Sequence, residues 1–186
     1  MMHQNRLFRW FLAGVGFLCP CVLTKSVAAL LGGAACGEDL DISKLIRKYK
    51  NEDTDAVIAV WRAASDLAHP FLSKAFQEMA EQQIRHLYLP QSETWVVEHD
   101  GAVVGFIGLL DCLIGGLFVH PDYHGKGLGR ALVDKAVALK GPLDVEVFVE
   151  NKIGRRFYKS YGFIGTKEVT DPHSGFELLQ LSYELE

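Results

Sequence analysis

From residue 45 onward the chain switches repeatedly between two hydrophobic periods, one near two residues and one near 3.6. Residues 46–49 alternate polar and apolar side chains, which predicts a short edge strand. Asn51, Asp53 and Thr54 are helix-start residues, and Val57, Ile58, Trp61 and Ala64 then recur at helical spacing. His69-Pro70-Phe71 breaks that helix. Phe71, Ala75, Phe76 and Met79 predict a second one that runs towards Leu87 and ends at Pro90. Residues 95–98 and 102–110 read as strands joined at His99-Asp100-Gly101, where Asp-Gly is a strong hairpin signal. Residues 115–119 make another strand. A glycine-rich turn leads from there into a helix over about 129–140, whose buried stripe is Leu128, Leu132, Ala136 and Leu139. Gly141-Pro142 stops it. Residues 143–149 alternate strictly, with Leu143, Val145, Val147 and Val149 on one face and Asp144, Glu146, Phe148 and Glu150 on the other. A helix over 151–161, capped by Gly162, and strands over 163–170 and 178–183 complete the order βααβββαβαββ. That order defines an α/β fold with a mixed central sheet flanked by helices.

Residues 1–44 differ in kind. Arg6 and Arg9 precede an apolar stretch over 10–23, and small residues follow at Ala28, Ala29 and 32–35. The order imitates a secretory signal. The stretch is short for a bilayer span, which needs about 20 residues, and Pro20 and Lys25 interrupt any extension. An export signal, a membrane anchor and sequence upstream of the true start are the readings it allows. The boundary is drawn at residue 45, leaving 45–186, a body of roughly 140 residues, as one domain of ordinary size.

Composition narrows the class. The 186 residues are 49% hydrophobic and carry a formal net charge of -4, which fits a globular core and argues against a nucleic-acid partner. Cys19, Cys21 and Cys36 lie in the N-terminal segment and Cys112 alone in the body, so the body reads as cytosolic and free of disulfides. No histidine stands at zinc-ligand spacing from Cys19 and Cys21, and no metal is expected.

Chemistry concentrates in the turn. After the strand ending Phe118-Val119 come His120-Pro121-Asp122-Tyr123 and then His124-Gly125-Lys126-Gly127-Leu128-Gly129-Arg130, with glycines at alternate positions before an amphipathic helix. Glycines let backbone N–H groups approach an anion, and a helix start adds unpaired donors and partial positive charge, which together suit a pyrophosphate. The dinucleotide fingerprint fails because Arg130 stands where its third glycine belongs, and no P-loop is present. Taken alone, the turn leaves open a glycine-rich loop without a ligand.

The segment resembles the acetyl-CoA signature of the GCN5-related N-acetyltransferases (GNATs): Gln or Arg, two residues, Gly, one residue, then Gly or Ala. His124 stands at the Gln/Arg position, and Gly127 and Gly129 match. A second stretch, Asn151-Lys152-Ile153-Gly154-Arg155-Arg156-Phe157-Tyr158-Lys159-Ser160-Tyr161-Gly162-Phe163, resembles the family's later segment at the expected distance. The resemblance implies a GNAT fold, acetyl-CoA as co-substrate, and direct transfer of acetyl to a primary amine. It implies that the backbone of His124, Gly125, Lys126, Gly127, Leu128, Gly129 and Arg130 holds the pyrophosphate. It also implies that Phe118 and Val119 pair with the pantetheine arm and that Asn151 bonds it. Tyr158 matches the tyrosine that protonates the departing thiolate. A phenol of pKa about 10 can protonate a thiolate whose acid lies near 8.5. Glu146 stands where related N-terminal acetylases carry a glutamate base, with His69, Asp111 and His120 as weaker alternatives.

Acceptor choice in the family comes from the first two helices and the late hairpin, here Trp61, Asp66, His69, Phe71 and the loop at Asp171-Pro172-His173. The Trp61 to His69-Pro70-Phe71 stretch looks like that of small stand-alone bacterial members, some of which acetylate protein lysines or N-termini. A peptide amine is the first reading. A small amine such as a polyamine, drug or amino acid is the second, and a non-catalytic acyl-CoA sensor the third. An exported enzyme would lose its acetyl-CoA, so a cytoplasmic protein without membrane association is expected.

Overall fold

The computed structural model describes residues 45–185, and the signal-like segment 1–44 lies outside the described residues. Strand β1 (Ile46–Lys48) is followed by a 3-10 turn at Asn51–Asp53 and helix α1 (Thr54–Ala68). The Asp53 carboxylate accepts the Lys50 N–H at 2.8 Å and is clamped by the Arg47 guanidinium at 2.7 and 2.8 Å. Helix α2 (Lys74–Gln83) starts later than the sequence predicts because Ser73 caps it, its hydroxyl accepting the Phe76 N–H at 3.3 Å.

The second helix is also longer than predicted, and its buried face differs. It runs into a π turn at Ile84–Tyr88 and a last turn at Leu89–Gln91 that holds Pro90 at its start. In the π turn the Leu89 N–H donates to the Ile84 carbonyl, so the helix is already reset when it reaches the donor-free Pro90. Ala80, Ile84, Tyr88 and Leu89 are buried, whereas Ala75 and Met79 of the expected stripe are exposed.

Strands β2 (Glu93–His99), β3 (Ala102–Leu110) and β4 (Leu113–Val119) form an antiparallel meander. Asp100 (φ 52°) and Gly101 (φ 78°) make the turn between β2 and β3. Helix α3 (Leu128–Lys140), β5 (Leu143–Phe148), α4 (Lys152–Tyr161), β6 (Ile164–Thr170) and β7 (Glu177–Tyr183) follow. The sheet order is β1-β2-β3-β4-β5-β7-β6, and β4 with β5 is its one parallel pair among the described residues.

The period-two patterns deliver one core to each face. Val57, Ile58, Trp61, Ala80, Ile84 and Tyr88 of α1 and α2 pack against Val96 and Phe106. Leu128, Leu132, Val133 and Ala136 of α3, with Tyr158 of α4, pack against Val97, Ile107, Val145 and Val147. Tyr88 packs over the β3–β4 ladder at Gly108 and Gly115. A Cβ at Gly108 would overlap its hydroxyl, and one at Gly115 would lie 2.6 Å from it.

Gly108→Ala should therefore destabilise the domain by about 2 kcal/mol or more, measured by urea denaturation, because the close-packed core cannot absorb the overlap.

Candidate active site

Strands β4 and β5 pair only at Leu113↔Asp144 and Ile114↔Val145 and then part. From Gly115 to Val119 the β4 edge towards β5 has no strand partner, and of its backbone groups the Val119 carbonyl is taken by the His124 side chain. A cavity of about 650 Å³ occupies the gap. Trp61, Ser65 and Ala80 border it from the α1–α2 face, and Leu128, Phe157 and Tyr158 from the α3–α4 face. It thus passes through the sheet.

At one end lies the glycine-rich turn. Gly125 (φ 77°) and Gly127 (φ 79°) take the left-handed conformation that side chains resist. Gly127 is the N-cap of α3 and supplies no side-chain cap, so the first N–H groups of this helix keep their donor capacity. The His124 Nε2–H donates to the Val119 carbonyl at 2.9 Å and ties the turn to the end of β4. Arg130 donates to the Ser160 carbonyl at 3.2 Å and stacks 4.9 Å from the Tyr161 ring centroid.

Phe118, Val119, His124, Gly125, Gly127, Leu128, Gly129, Arg130, Glu146, Asn151 and Tyr158 all border the cavity. Lys126 does not; its ammonium sits 4.6 Å above the Tyr123 ring. Asp66, Asp111, His120 and His173 also lie off the cavity, and the His120 ring instead accepts the Asp122 N–H.

Tyr158 is 6% exposed, and burial pushes its phenol above the usual range, so the hydroxyl holds its proton. Asn151 caps α4, accepting the Gly154 N–H at 2.8 Å, and its amide nitrogen donates to His69 Nε2 at 2.9 Å. His69 therefore carries its proton on Nδ1, and burial lowers its pKa to about 4. On β5, the Glu146 Oε1 accepts from the Gln180 amide at 2.7 Å, while Oε2 is buried without a partner. Burial raises the Glu146 pKa most; the Gln180 hydrogen bond next opposes it, the charge of Asp171 adds to the rise, and Lys167 lowers it least.

Sequence reasoning did not find Gln180, the cross-strand neighbour of Glu146, or the packing of Phe148 and Phe176 beside it. The alternation of β5 did place Phe148 on the Glu146 face, which was the available signal. Among the described residues no cluster of His, Cys, Asp and Glu has the makings of a metal site, and no helix is long and apolar enough to cross a membrane.

A sheet opened between its one parallel pair, with a glycine-rich helix start at the mouth of the gap, is an acyltransferase architecture, and the comparisons agree. The Acetyltransferase (GNAT) domain model matches residues 90–164. The peptidyl-lysine N-acetyltransferase YjaB of Salmonella typhimurium is 36% identical over 141 residues, covering 74% of this chain and 97% of that protein. The solution structure of apo YjaB from Escherichia coli superposes with a TM-score of 0.68 at 32% identity, over 74% of this chain and 95% of that one. The PaiA N-acetyltransferase of Thermoplasma acidophilum shares the fold at a TM-score of 0.59 and 20% identity, over 74% and 98% of the two chains. The chain belongs to the GNAT family and is an N-acetyltransferase.

The His69 pKa sets a stability prediction. Its folded value lies below the ordinary 6.5, so the unfolded chain takes up this proton first, and the contribution is complete above about pH 6.5 and lost as the pH falls towards 4. Between pH 8 and pH 5 this group should cost about 2 kcal/mol. In His69→Asn, which keeps an acceptor for Asn151, urea denaturation at the two pH values should show a loss smaller by that amount.

Proposed function

We propose that the chain transfers the acetyl group of acetyl-CoA directly to the ε-amine of a lysine in a peptide or protein. One observation carries the reading: the cavity crosses the sheet, with Tyr158 reaching it from the α3–α4 face and Glu146 on the opposite side of β5 from Val145 and Val147. Donor and acceptor can then enter from opposite faces and meet in the gap. The names of the relatives at 36% identity and below support lysine as the acceptor class.

The residues fit acetyl-CoA as substrate. The N–H groups of the turn at 124–129 and of the uncapped α3 start receive the pyrophosphate. The unpaired β4 edge receives the amide-bearing pantetheine arm as a further strand would. A backbone N–H near Phe118 or Val119 polarises the thioester carbonyl. Asn151 borders the same passage, but its side chain is engaged by Gly154 and His69, so its part is to hold α4 in place.

The chemistry then balances. The acceptor arrives as an ammonium, and Glu146 takes one proton from it. The neutral nitrogen attacks the thioester carbonyl carbon, an N–C bond forms and the C–S bond breaks. Tyr158 gives its proton to the departing sulfur, which leaves as the thiol. The nitrogen loses a second proton, one of the two restoring Tyr158 and the other reaching solvent. His69 is not the base here, because its lone-pair nitrogen Nε2 is occupied by the Asn151 amide and burial lowers its basicity.

Tyr158→Phe should lower kcat for a lysine peptide by about 10²–10⁴ while leaving coenzyme A affinity within about twofold, measured by thiol release and calorimetry. Unchanged turnover would place the proton donor elsewhere, and coenzyme A binding without turnover in either form would make the chain an acyl-CoA sensor. The pH profile tests the base. Glu146 must be ionised, so kcat/KM should fall as the pH drops through a pKa raised above 4.5 by burial, with Gln180, Asp171 and Lys167 adjusting it. Glu146→Gln should remove that acid limb along with most of the rate.

A further inference from the structure

The late hairpin holds a buried carboxylate that the transfer chemistry above does not use. Asp171 is 1% exposed. Its N–H donates to the Phe176 carbonyl and its own carbonyl accepts the Gly175 N–H, both at 2.8 Å, so its backbone is fixed. Its Oδ2 accepts the Ser174 N–H at 2.8 Å and also the Ser174 hydroxyl. Its Oδ1 is buried, has no partner, and belongs to a residue that borders the cavity. A buried carboxylate oxygen left unbonded costs free energy, so native proteins satisfy such atoms unless a ligand is meant to do so.

Glu146 repeats the pattern from β5. One oxygen is held by the neutral Gln180 amide, while Oε2 is buried and unpartnered beside the same cavity. Two carboxylates thus each spend one oxygen on a neutral donor and keep the other unbonded. Lys167 acts on Glu146 only at a distance. The wall beside them is aromatic. Phe148, two positions from Glu146 on the same strand face, packs edge-on against His69 and Phe71, both at 5.5 Å, and against Phe176 at 6.4 Å. Such rings offer no competing acceptor and suit an aliphatic stem that ends in a cation.

We propose that Asp171 and Glu146 together form a receptor for the acceptor's ammonium group, with Asp171 as the residue that selects a cationic side-chain amine. The inference rests on the lysine-acetyltransferase reading and deepens it. Asp171 holds the ammonium through its unpartnered Oδ1, while Glu146 Oε2 removes a proton from it. A free amino acid, whose carboxylate adjoins its α-amine, meets like charge here and is rejected. The lysine ε-ammonium, remote from any carboxylate, is admitted.

The test uses the full chain saturated with coenzyme A, which cannot acetylate, and calorimetric binding at pH 7 of a lysine peptide against the same peptide with norleucine. The lysine form should bind at least about tenfold more tightly. Asp171→Asn, whose side-chain oxygen can still accept from Ser174, should reduce that ratio to about threefold or less without altering coenzyme A affinity. Ser174→Ala provides a second variant: it releases the carboxylate from its post, and the ratio should fall part of the way. Equal binding of the two peptides by the unaltered chain, or a full ratio in a folded Asp171→Asn protein, overturns the proposal. Failure of the unaltered chain to acetylate the lysine peptide overturns the function reading instead, whatever the binding ratio.

Discussion

The parting of β4 from β5 is the constraint on which the site depends. Each strand is held on its outer side: β4 pairs with β3 from Leu113 to Val119, and β5 with β7 from Leu143 to Phe148. Between themselves they share only the Leu113 and Ile114 positions. Tyr88 packs over Gly108 and Gly115 next to the point where the two strands part. The helices on the two faces pack into separate cores, so neither closes the gap from above or below. The cost is a run of unpaired backbone groups, and a substrate with a strand-like amide arm is the economical way to satisfy them.

Burial then acts on each titratable group in the direction that disfavours charge. It raises Tyr158 and Glu146 and lowers His69 to about 4. For Tyr158 the result is a phenol that keeps its proton, as the proposed donor to a departing thiolate must. For Glu146 it is a carboxylate drawn towards proton acceptance, reinforced by the charge of Asp171. For His69 it is a neutral ring whose lone pair binds the Asn151 amide and so couples the loop after α1 to the start of α4.

Local signals in the sequence carried most of the architecture. The strand alternation, the Asp-Gly turn and the glycine-rich turn each depend on neighbouring residues, and the observed order matches the one they predict. The second helix was the exception: Ser73 delays its start, its buried face runs through Ala80 and so leaves Met79 outward, and the π turn at Ile84–Tyr88 then breaks the 3.6 period. Site partners that depend on long-range pairing were not legible. Gln180 reaches Glu146 across 34 positions, and His69 reaches Asn151 across 82. Asp171 read as a loop residue near the mouth, since an Asp before Pro and Gly signals a turn, and only the folded hairpin shows that its side chain is buried.

Charge is distributed along the cavity in a way that matches the two substrates. Of the described residues that border it, the formally charged ones are Arg130 at the turn and Glu146 and Asp171 by the late hairpin. Arg130 adds its cation to the positive end of α3, where a pyrophosphate would lie. The carboxylates lie by the late hairpin, where the proposed ammonium would bind. An acetyl-CoA that entered backwards would bring its phosphates against Glu146 and Asp171, and an amine that entered by the turn would meet Arg130. On the proposed reading, orientation would be set by repulsion at the wrong end as well as attraction at the right one, a form of discrimination that one-sided complementarity cannot supply. The reacting atoms meet between these poles, in the gap where Tyr158 is buried and the β4 backbone is unpaired.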